Sequence, residues 1–140
     1  MHDRRTFLGM AAASLMRAAI DAQASQQAPA QRPPNELARH ALTGPLEGFE
    51  IVLIQLNSQP GQRGSGPGHR HPGPVLGYVT EGQMLFAIND EAAQVVKTGG
   101  TFFEPTGAVH TSSGSASPDG AARAVVFMVV PKGSPLTAPR

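Results

Sequence analysis

The sequence predicts a single small all-β domain of the sandwich or barrel class. Its 140 residues include 16 glycines and 13 prolines, residues that interrupt helices and mark the turns between short strands. Short apolar and β-branched runs follow one another between residues 49 and 130, at the spacing typical of a β-sandwich or small barrel. A chain of this length leaves room for one such domain.

The composition excludes several classes of function. The chain has no cysteine, which excludes a disulfide scaffold and thiolate chemistry. Its 11 basic and 10 acidic residues give a formal charge of +1, without the basic excess that nucleic-acid binding requires. No apolar run reaches the roughly 18–20 residues of a membrane span. We therefore expect neither a nucleic-acid partner nor a membrane association of the mature protein.

Residues 1–24 are predicted to be an export signal. A pair of arginines precedes an alanine-rich apolar segment, and Ala22-Gln23-Ala24 provides an A-x-A cleavage sequence. The run Arg4-Arg5-Thr6-Phe7-Leu8 resembles the twin-arginine signal of bacterial exported proteins, with an ordinary amphipathic helix as the alternative. We expect a periplasmic or secreted protein, exported after folding, a route that suits a domain that acquires a metal in the cytoplasm.

Strands are expected only after a linker. The chain from residue 25 begins with a Gln/Ala/Pro-rich stretch too poor in large apolar residues to form a core. Residues 36–42 fit either a helical turn or a lead-in strand. The expected boundaries are 1–24 for the signal, 25–45 for the linker and lead-in, 46–133 for the barrel and 134–140 for a tail.

The elements of the barrel are predicted from apolar runs and turn residues. The run 49–56 predicts a strand, and the Gly/Pro-rich segment 60–68 predicts a loop without regular structure. Residues 75–80 and 83–89 are predicted to pair as a tight hairpin around Glu81-Gly82. The remaining expectations are strands at 94–97 and 101–104, a polar loop at 112–120 and a buried closing strand at 124–130.

Three histidines are predicted to form a metal site. His69 and His71 are two residues apart, so in an extended chain both side chains lie on one face. Two imidazoles alone hold a metal weakly, and His110, which follows a Pro-x-Gly turn, is the expected third ligand. The alternative is that His69 and His71 belong to a solvated loop. His40 is expected to be a surface or satisfied core residue.

These two histidine segments resemble the two motifs of the cupin family. Residues 69–82, HRHPGPVLGYVTEG, resemble the first motif, H-x-H-x3-E-x6-G, and residues 99–110 resemble the G-x5-P-x-G-x2-H part of the second. The resemblance covers about residues 46–133. It implies a double-stranded β-helix, or jelly-roll barrel, with one metal ion held by His69, His71 and His110, and pairing of edge strands in a homodimer. The apolar run 49–56 is the segment that we expect to pair.

The sequence departs from the family pattern at three positions. Val75 stands where the family has a metal-binding Glu, Gly114 where it has Asn, and Arg63 where it has Gly. Three neutral imidazoles should bind Fe²⁺, Ni²⁺, Cu²⁺ or Zn²⁺ better than the harder Mn²⁺, as three histidines hold zinc in carbonic anhydrase. A degenerate barrel that no longer holds metal is the alternative.

Other polar and aromatic residues are weaker candidates. Glu104 and Gln83 could act as a proton shuttle or a replacement ligand, but a solvated strand residue is favoured for both. A packing role is favoured for Tyr78. Four phenylalanines are expected in the core: Phe86, Phe102, Phe103 and Phe127.

The resemblance implies a function but no catalytic residue. A metal-dependent enzyme with oxygenase-like activity on a small organic molecule is expected, because some cupin dioxygenases resemble this three-histidine arrangement. A binding or sensing module with weak or no metal is the first alternative, and a degenerate barrel serving in an oligomer is the second. A phosphate-binding loop and a Ser-His-acid set are absent from the sequence.

Overall fold

The computed structural model describes residues 35–140, and the predicted export signal and most of the linker lie outside them. The described chain is almost entirely β, with one 3₁₀ turn at Gly44–Leu46. Its strands are β1 (Glu36–Ala41), β2 (Phe49–Ser58), β3 (Ser65–Arg70), β4 (Val75–Glu81), β5 (Gln83–Ile88), β6 (Gln94–Lys97), β7 (Thr101–Glu104), β8 (Val109–Ser115), β9 (Ala122–Pro131) and β10 (Ala138–Pro139).

The strands form two antiparallel five-stranded sheets. The first has the order β1-β2-β9-β4-β7 and the second the order β10-β3-β8-β5-β6. This arrangement is a double-stranded β-helix and confirms the all-β jelly-roll prediction. Strands β5 and β6 pair as a hairpin between the two histidine segments.

The core lies between the sheets and follows the two-residue alternation of the strands. In β9, every second side chain from Ala122 to Val130 is buried, while Phe127 between them is exposed. The same alternation buries Phe102 and exposes Phe103 and Tyr78. The expectation of core positions for Phe103 and Phe127, and of a packing role for Tyr78, is therefore wrong, because these side chains lie on the outer face.

The predicted hairpin between residues 75–80 and 83–89 does not form. Strand β4 pairs with β7 and β9, whereas β5 pairs with β6 and β8 in the other sheet. Gly82, at a positive φ of 72°, lies in a turn that carries the chain from one sheet to the other. The prediction was wrong because the same short turn serves either connection.

Two predicted loops contain strand residues. Strand β8 extends to Ser115 and β3 begins at Ser65, so parts of 60–68 and 112–120 are regular structure. The two segments approach each other closely here, because a Cβ on Gly64 would lie 1.4 Å from the carbonyl oxygen of Ser113. Glycine permits this approach, and polar composition alone did not indicate it.

Both ends of the described chain add strands. Residues 36–41 form the lead-in strand β1, which pairs with β2, and residues 138–139 pair with β3. Strand β2 therefore lies between β1 and β9, so residues 49–56 offer no free edge. The expected homodimer stays a prediction, but residues 49–56 cannot be the edge strand through which it pairs. Among residues 35–140, no helix is long and apolar enough to cross a membrane.

Candidate metal centre

His69, His71 and His110 lie together between the two sheets. Strands β3 and β8 pair His69 directly with His110, and His71 follows β3 by one residue. The ring centroid of His69 lies 4.8 Å from that of His71 and 5.1 Å from that of His110. One ligand atom from each of the three side chains lies within 4.8 Å of the other two. These three imidazoles could therefore hold one metal ion.

Backbone carbonyls orient two of the imidazoles. Nδ1 of His71 lies 2.7 Å from the carbonyl oxygen of Leu136, and Nε2 of His110 lies 2.9 Å from that of Ser112. Since a carbonyl oxygen can only accept, these two nitrogens carry the hydrogens and donate them. The lone pairs then lie on Nε2 of His71 and Nδ1 of His110, as in sites where an outer hydrogen bond fixes the ligand tautomer.

Burial keeps the three imidazoles neutral. Desolvation lowers the pKa of His69 and of His71 below the usual range, and it lowers the pKa of His110 to about 4. Neutral imidazole is the form that binds metals. At neutral pH the cluster therefore presents lone pairs rather than positive charges.

Glu104 faces the same cluster. Its Oε1 lies 3.3 Å from Nδ1 of His110, and its Oε2 lies 3.7 Å from Nε2 of His71. The residue is 2% exposed, so the interpretation as a solvated strand residue is wrong. Strand alternation explains the error, because β7 points Phe102 and Glu104 inward and Phe103 outward. Desolvation raises the pKa of the Glu104 carboxyl to about 7.

Glu104 lies directly opposite the position of the missing family carboxylate. Val75 on β4 and Glu104 on β7 are cross-strand partners, and Val75 is 1% exposed. Both side chains therefore point into the same interior. The valine does remove a carboxylate from β4, as the sequence indicated, but the neighbouring strand provides one at the same level of the barrel.

The Pro-x-Gly turn before His110 is tied to the first histidine segment. The Arg70 guanidinium donates to the carbonyl oxygen of Gly107, and the Gly107 N–H donates to the carbonyl oxygen of His71 at 3.2 Å. Arg70 itself is exposed. Gln83 and His40, the other polar candidates, are also exposed.

The histidines border two spaces. An interior cavity of about 90 Å³ is lined mostly by apolar residues, including Phe102 and Met128. All three histidines and Glu104 also line it. A more open pocket of about 400 Å³ lies on the β3–β8 side and is lined by Gly64, Pro67, Gly68, His69, His110, Thr111, Ser112 and Ser113. A bound ion could thus be reached from outside the core through His69 and His110.

Comparisons with known proteins agree with the observed fold. Residues 56–130 match the family model described as the cupin domain. No curated protein matches the chain. Among solved structures, a cupin-like protein from Thermotoga maritima is 22% identical with a TM-score of 0.53, over 66% of this chain and 65% of its own. The polyketide cyclase RemF from Streptomyces resistomycificus is 25% identical with a TM-score of 0.51, over 78% and 75%.

A third solved structure, of the DMSP lyases RdDddP and RnDddQII, is 19% identical with a TM-score of 0.50 and covers 66% of this chain. This chain spans 65% of the Thermotoga protein and 44% of the lyase chain, which is less than two thirds of either. The likeness to these two proteins concerns the fold.

Proposed function

This chain belongs to the cupin family, and we propose that it binds one divalent transition metal through His69, His71 and His110 and acts as an oxygenase-like enzyme on a small organic molecule. The observation that carries the proposal is the convergence of three neutral imidazole nitrogens within 4.8 Å. Hydrogen bonds to backbone carbonyls hold two of those imidazoles in a tautomer that can bind a metal. A histidine without a metal-binding role does not need its tautomer fixed in this way.

The donor set fits iron, nickel, copper or zinc. Imidazole suits these borderline ions, and no thiolate is available to favour a softer one. An ion bound there would supply Lewis-acid or redox chemistry at positions left open by the protein ligands. The protein would fix the ligands by their outer hydrogen bonds, and the apolar walls of the cavity would exclude bulk water.

The two spaces beside the histidines support a small-molecule substrate. The interior cavity of about 90 Å³ is well below the 300–1,000 Å³ of ordinary ligand pockets. The open pocket of about 400 Å³ falls within that range and shares His69 and His110 with the cavity. We therefore propose that substrate enters from the β3–β8 side. The similarity to a polyketide cyclase supports a small organic substrate.

The non-catalytic alternative loses one of its grounds. Two features of the sequence favour that alternative: the family carboxylate is missing at Val75, and no clear second acid or base is present. Glu104 places a carboxyl within 3.3 Å of His110, so the site does contain such a group. Export through a twin-arginine signal remains part of the proposal and is supported by the sequence of residues 1–24.

Metal content tests the proposal. The full chain is purified from its native export route as wild type, His110→Ala and His40→Ala, the last being a matched control because His40 is exposed and lies outside the cluster. We expect near-stoichiometric Fe, Ni, Cu or Zn in wild type and His40→Ala, and its loss in His110→Ala. Metal-free wild type, with a thermal stability that His110→Ala does not change, would overturn the metal site.

Oxygen uptake by the metal-loaded protein separates the enzyme from a binding module. We expect substrate-dependent oxygen consumption with some members of a panel of small organic molecules, and none with His110→Ala. Tight binding of such a molecule without turnover would contradict the enzymatic part and favour the binding module.

A further inference from the structure

We propose that Glu104 is the fourth protein ligand of the metal, supplied by β7 in place of the carboxylate that β4 lacks. The proposal rests on the three-histidine site proposed above and goes beyond it by assigning a ligand that the family motifs do not include. The centre would then be formed by three imidazoles and one carboxylate, with the carboxylate donated across the strand pair β4–β7.

Two of the distances match those between neighbouring ligands of a single ion, and the third is slightly longer. Protein nitrogen and oxygen ligands lie about 2.0–2.2 Å from such a metal, so neighbouring ligand atoms lie about 3–3.5 Å apart. Nε2 of His69 and Nε2 of His71 are 3.1 Å apart. Oε1 of Glu104 is 3.3 Å from Nδ1 of His110, and Oε2 is 3.7 Å from Nε2 of His71. The carboxylate contacts the lone-pair nitrogens rather than those that donate to the backbone.

One oxygen of the Glu104 carboxylate lacks a hydrogen-bond partner among the described residues. That oxygen, Oε2, is buried. Apart from the histidines and Ser113, the other residues that line the cavity are apolar and include Val75, Phe102 and Met128. A buried polar oxygen without a partner is costly. A cation placed between this oxygen and the imidazole lone pairs would satisfy all of them together.

The register of β4 and β7 explains why either strand could provide the carboxylate ligand. Directly opposed residues in an antiparallel pair have Cβ atoms about 4.5–5.5 Å apart, and Val75 and Glu104 are such a pair. A glutamate at either position can therefore reach the same point in the interior. The exchange of a carboxylate for a valine on β4 is balanced by a carboxylate on β7.

This assignment changes the expected metal preference. Three imidazoles alone favour borderline ions, whereas an added carboxylate also suits a harder one such as Mn²⁺. It also neutralises one of the two charges of the ion inside the barrel. Binding of Mn²⁺ is therefore the property most sensitive to Glu104.

Calorimetric titration of the apo protein with Mn²⁺ and with Zn²⁺ tests the assignment. The isosteric variant Glu104→Gln should bind Mn²⁺ at least about 100-fold more weakly, beyond the 10–100-fold typical for loss of an outer partner, with a smaller loss for Zn²⁺. The control Glu81→Gln removes an exposed carboxylate that pairs with Arg123 and should change neither affinity.

Moving the carboxylate from β7 to β4 tests whether the two positions reach the same point. The double variant Val75→Glu/Glu104→Val returns the carboxylate to β4 and should recover Mn²⁺ affinity to within about tenfold of wild type, because both positions reach one point. A general effect of removing a buried charge would not be reversed by this exchange. A folded double variant that binds as weakly as Glu104→Gln would contradict the shared position.

Two outcomes separate this inference from the metal site itself. If His110→Ala abolishes Zn²⁺ binding while Glu104→Gln binds Mn²⁺ as wild type does, the metal site stands and the fourth ligand is overturned. If His110→Ala binds as wild type does, the three-histidine site itself is overturned. The wild type provides a check that requires no variant: one equivalent of metal should shift carboxylate bands in the infrared difference spectrum, and unshifted bands would overturn the assignment.

Discussion

Gly77 shapes the interior beside the candidate centre because it leaves room for the Phe102 ring. A Cβ on Gly77 would lie 2.0 Å from the Phe102 ring, so the ring lies flat over the backbone of β4. The Phe86 ring lies 4.7 Å from that of Phe102 and 5.5 Å from that of His110, between centroids. The aromatic contacts thus lead from Gly77 to a metal-ligand candidate.

The substitution Gly77→Ala is expected to destabilise the fold by roughly 1–3 kcal/mol, since it overpacks a filled core. Urea denaturation of the apo protein measures it. Replacing Phe102 by Leu in the Gly77→Ala background should recover part of the loss. The control is Gly120→Ala, whose added Cβ would meet the Ser117 side chain at 3.1 Å or more. A neutral Gly77→Ala would show that the ring does not lie over the glycine.

The sequence predicts the three histidines better than it predicts Glu104. A spacing of two residues and a Pro-x-Gly turn are local features, and they indicated His69, His71 and His110 directly. The role of Glu104 depends on the pairing of β7 with β4, which no local pattern contains. One local signal was available, since alternation along β7 places Glu104 on the same side as the apolar Phe102.

At the scale of elements, an ion-pair network attaches β1 to the first sheet. Arg39 on β1 donates to Glu50 on β2 at 2.6 Å and to Glu36 at 2.8 Å. The hydrogen bond from Arg39, assisted by the backbone N–H of Gly133, holds the pKa of the Glu50 carboxyl below its usual value. A carboxyl with a depressed pKa stabilises the fold above its unfolded pKa and loses that effect as the pH falls.

The substitution Glu50→Gln should therefore cost about 1 kcal/mol of unfolding free energy at pH 7, the upper end of the range for exposed pairs, because Glu50 is only 8% exposed. The difference from wild type should shrink as the pH falls below about 4.5, through the depressed pKa of Glu50. Denaturation curves at several pH values check it, with Glu81→Gln as the control of an exposed pair. A difference that is constant from pH 7 to pH 3 would contradict an electrostatic role.

The C-terminal segment 136–139, which ends in β10, contributes to the site as well as to the sheet. The carbonyl oxygen of Leu136 accepts the hydrogen of His71 Nδ1, and β10 pairs with His69 and Arg70 of β3. Two residues, one of them proline, are too short to predict as a strand, so the sequence placed this segment outside the barrel. Its function as a support for two histidines follows only from the fold.

Ending the chain after Pro135 should weaken Zn²⁺ binding about 10- to 100-fold, the usual effect of removing an outer hydrogen-bond partner of a ligand. Competition with a chromophoric chelator measures the affinity. Removal of Arg140 alone, which pairs with the exposed Asp90, is the control and should have no effect. Wild-type affinity in the shorter chain would show that Leu136 does not orient His71.

Over the whole molecule, the candidate centre joins the two sheets. His69 and His110 belong to the sheet of β3 and β8, whereas Glu104 and Val75 belong to the sheet of β7 and β4. The predicted hairpin would have kept β4 and β5 in one sheet. The observed crossing at Gly82 instead places the residues of β4 and β5 on opposite sides of the interior.

Because the site is formed only in the folded barrel, metal should stabilise the whole described domain. A free metal concentration of 100 times Kd adds about 2.7 kcal/mol to the unfolding free energy. The thermal midpoint should therefore rise with Zn²⁺ in the wild type and in His40→Ala, and stay unchanged in His110→Ala. An equal rise in all three proteins would place the bound metal elsewhere.

Anomalous diffraction from crystals of the metal-loaded wild type tests the central claim most directly. We expect one strong site between the two sheets, with the ion about 2.0–2.2 Å from Nε2 of His69, Nε2 of His71, Nδ1 of His110 and an oxygen of Glu104. An ion bound away from the three histidines, or no ordered ion at full loading, would contradict the account.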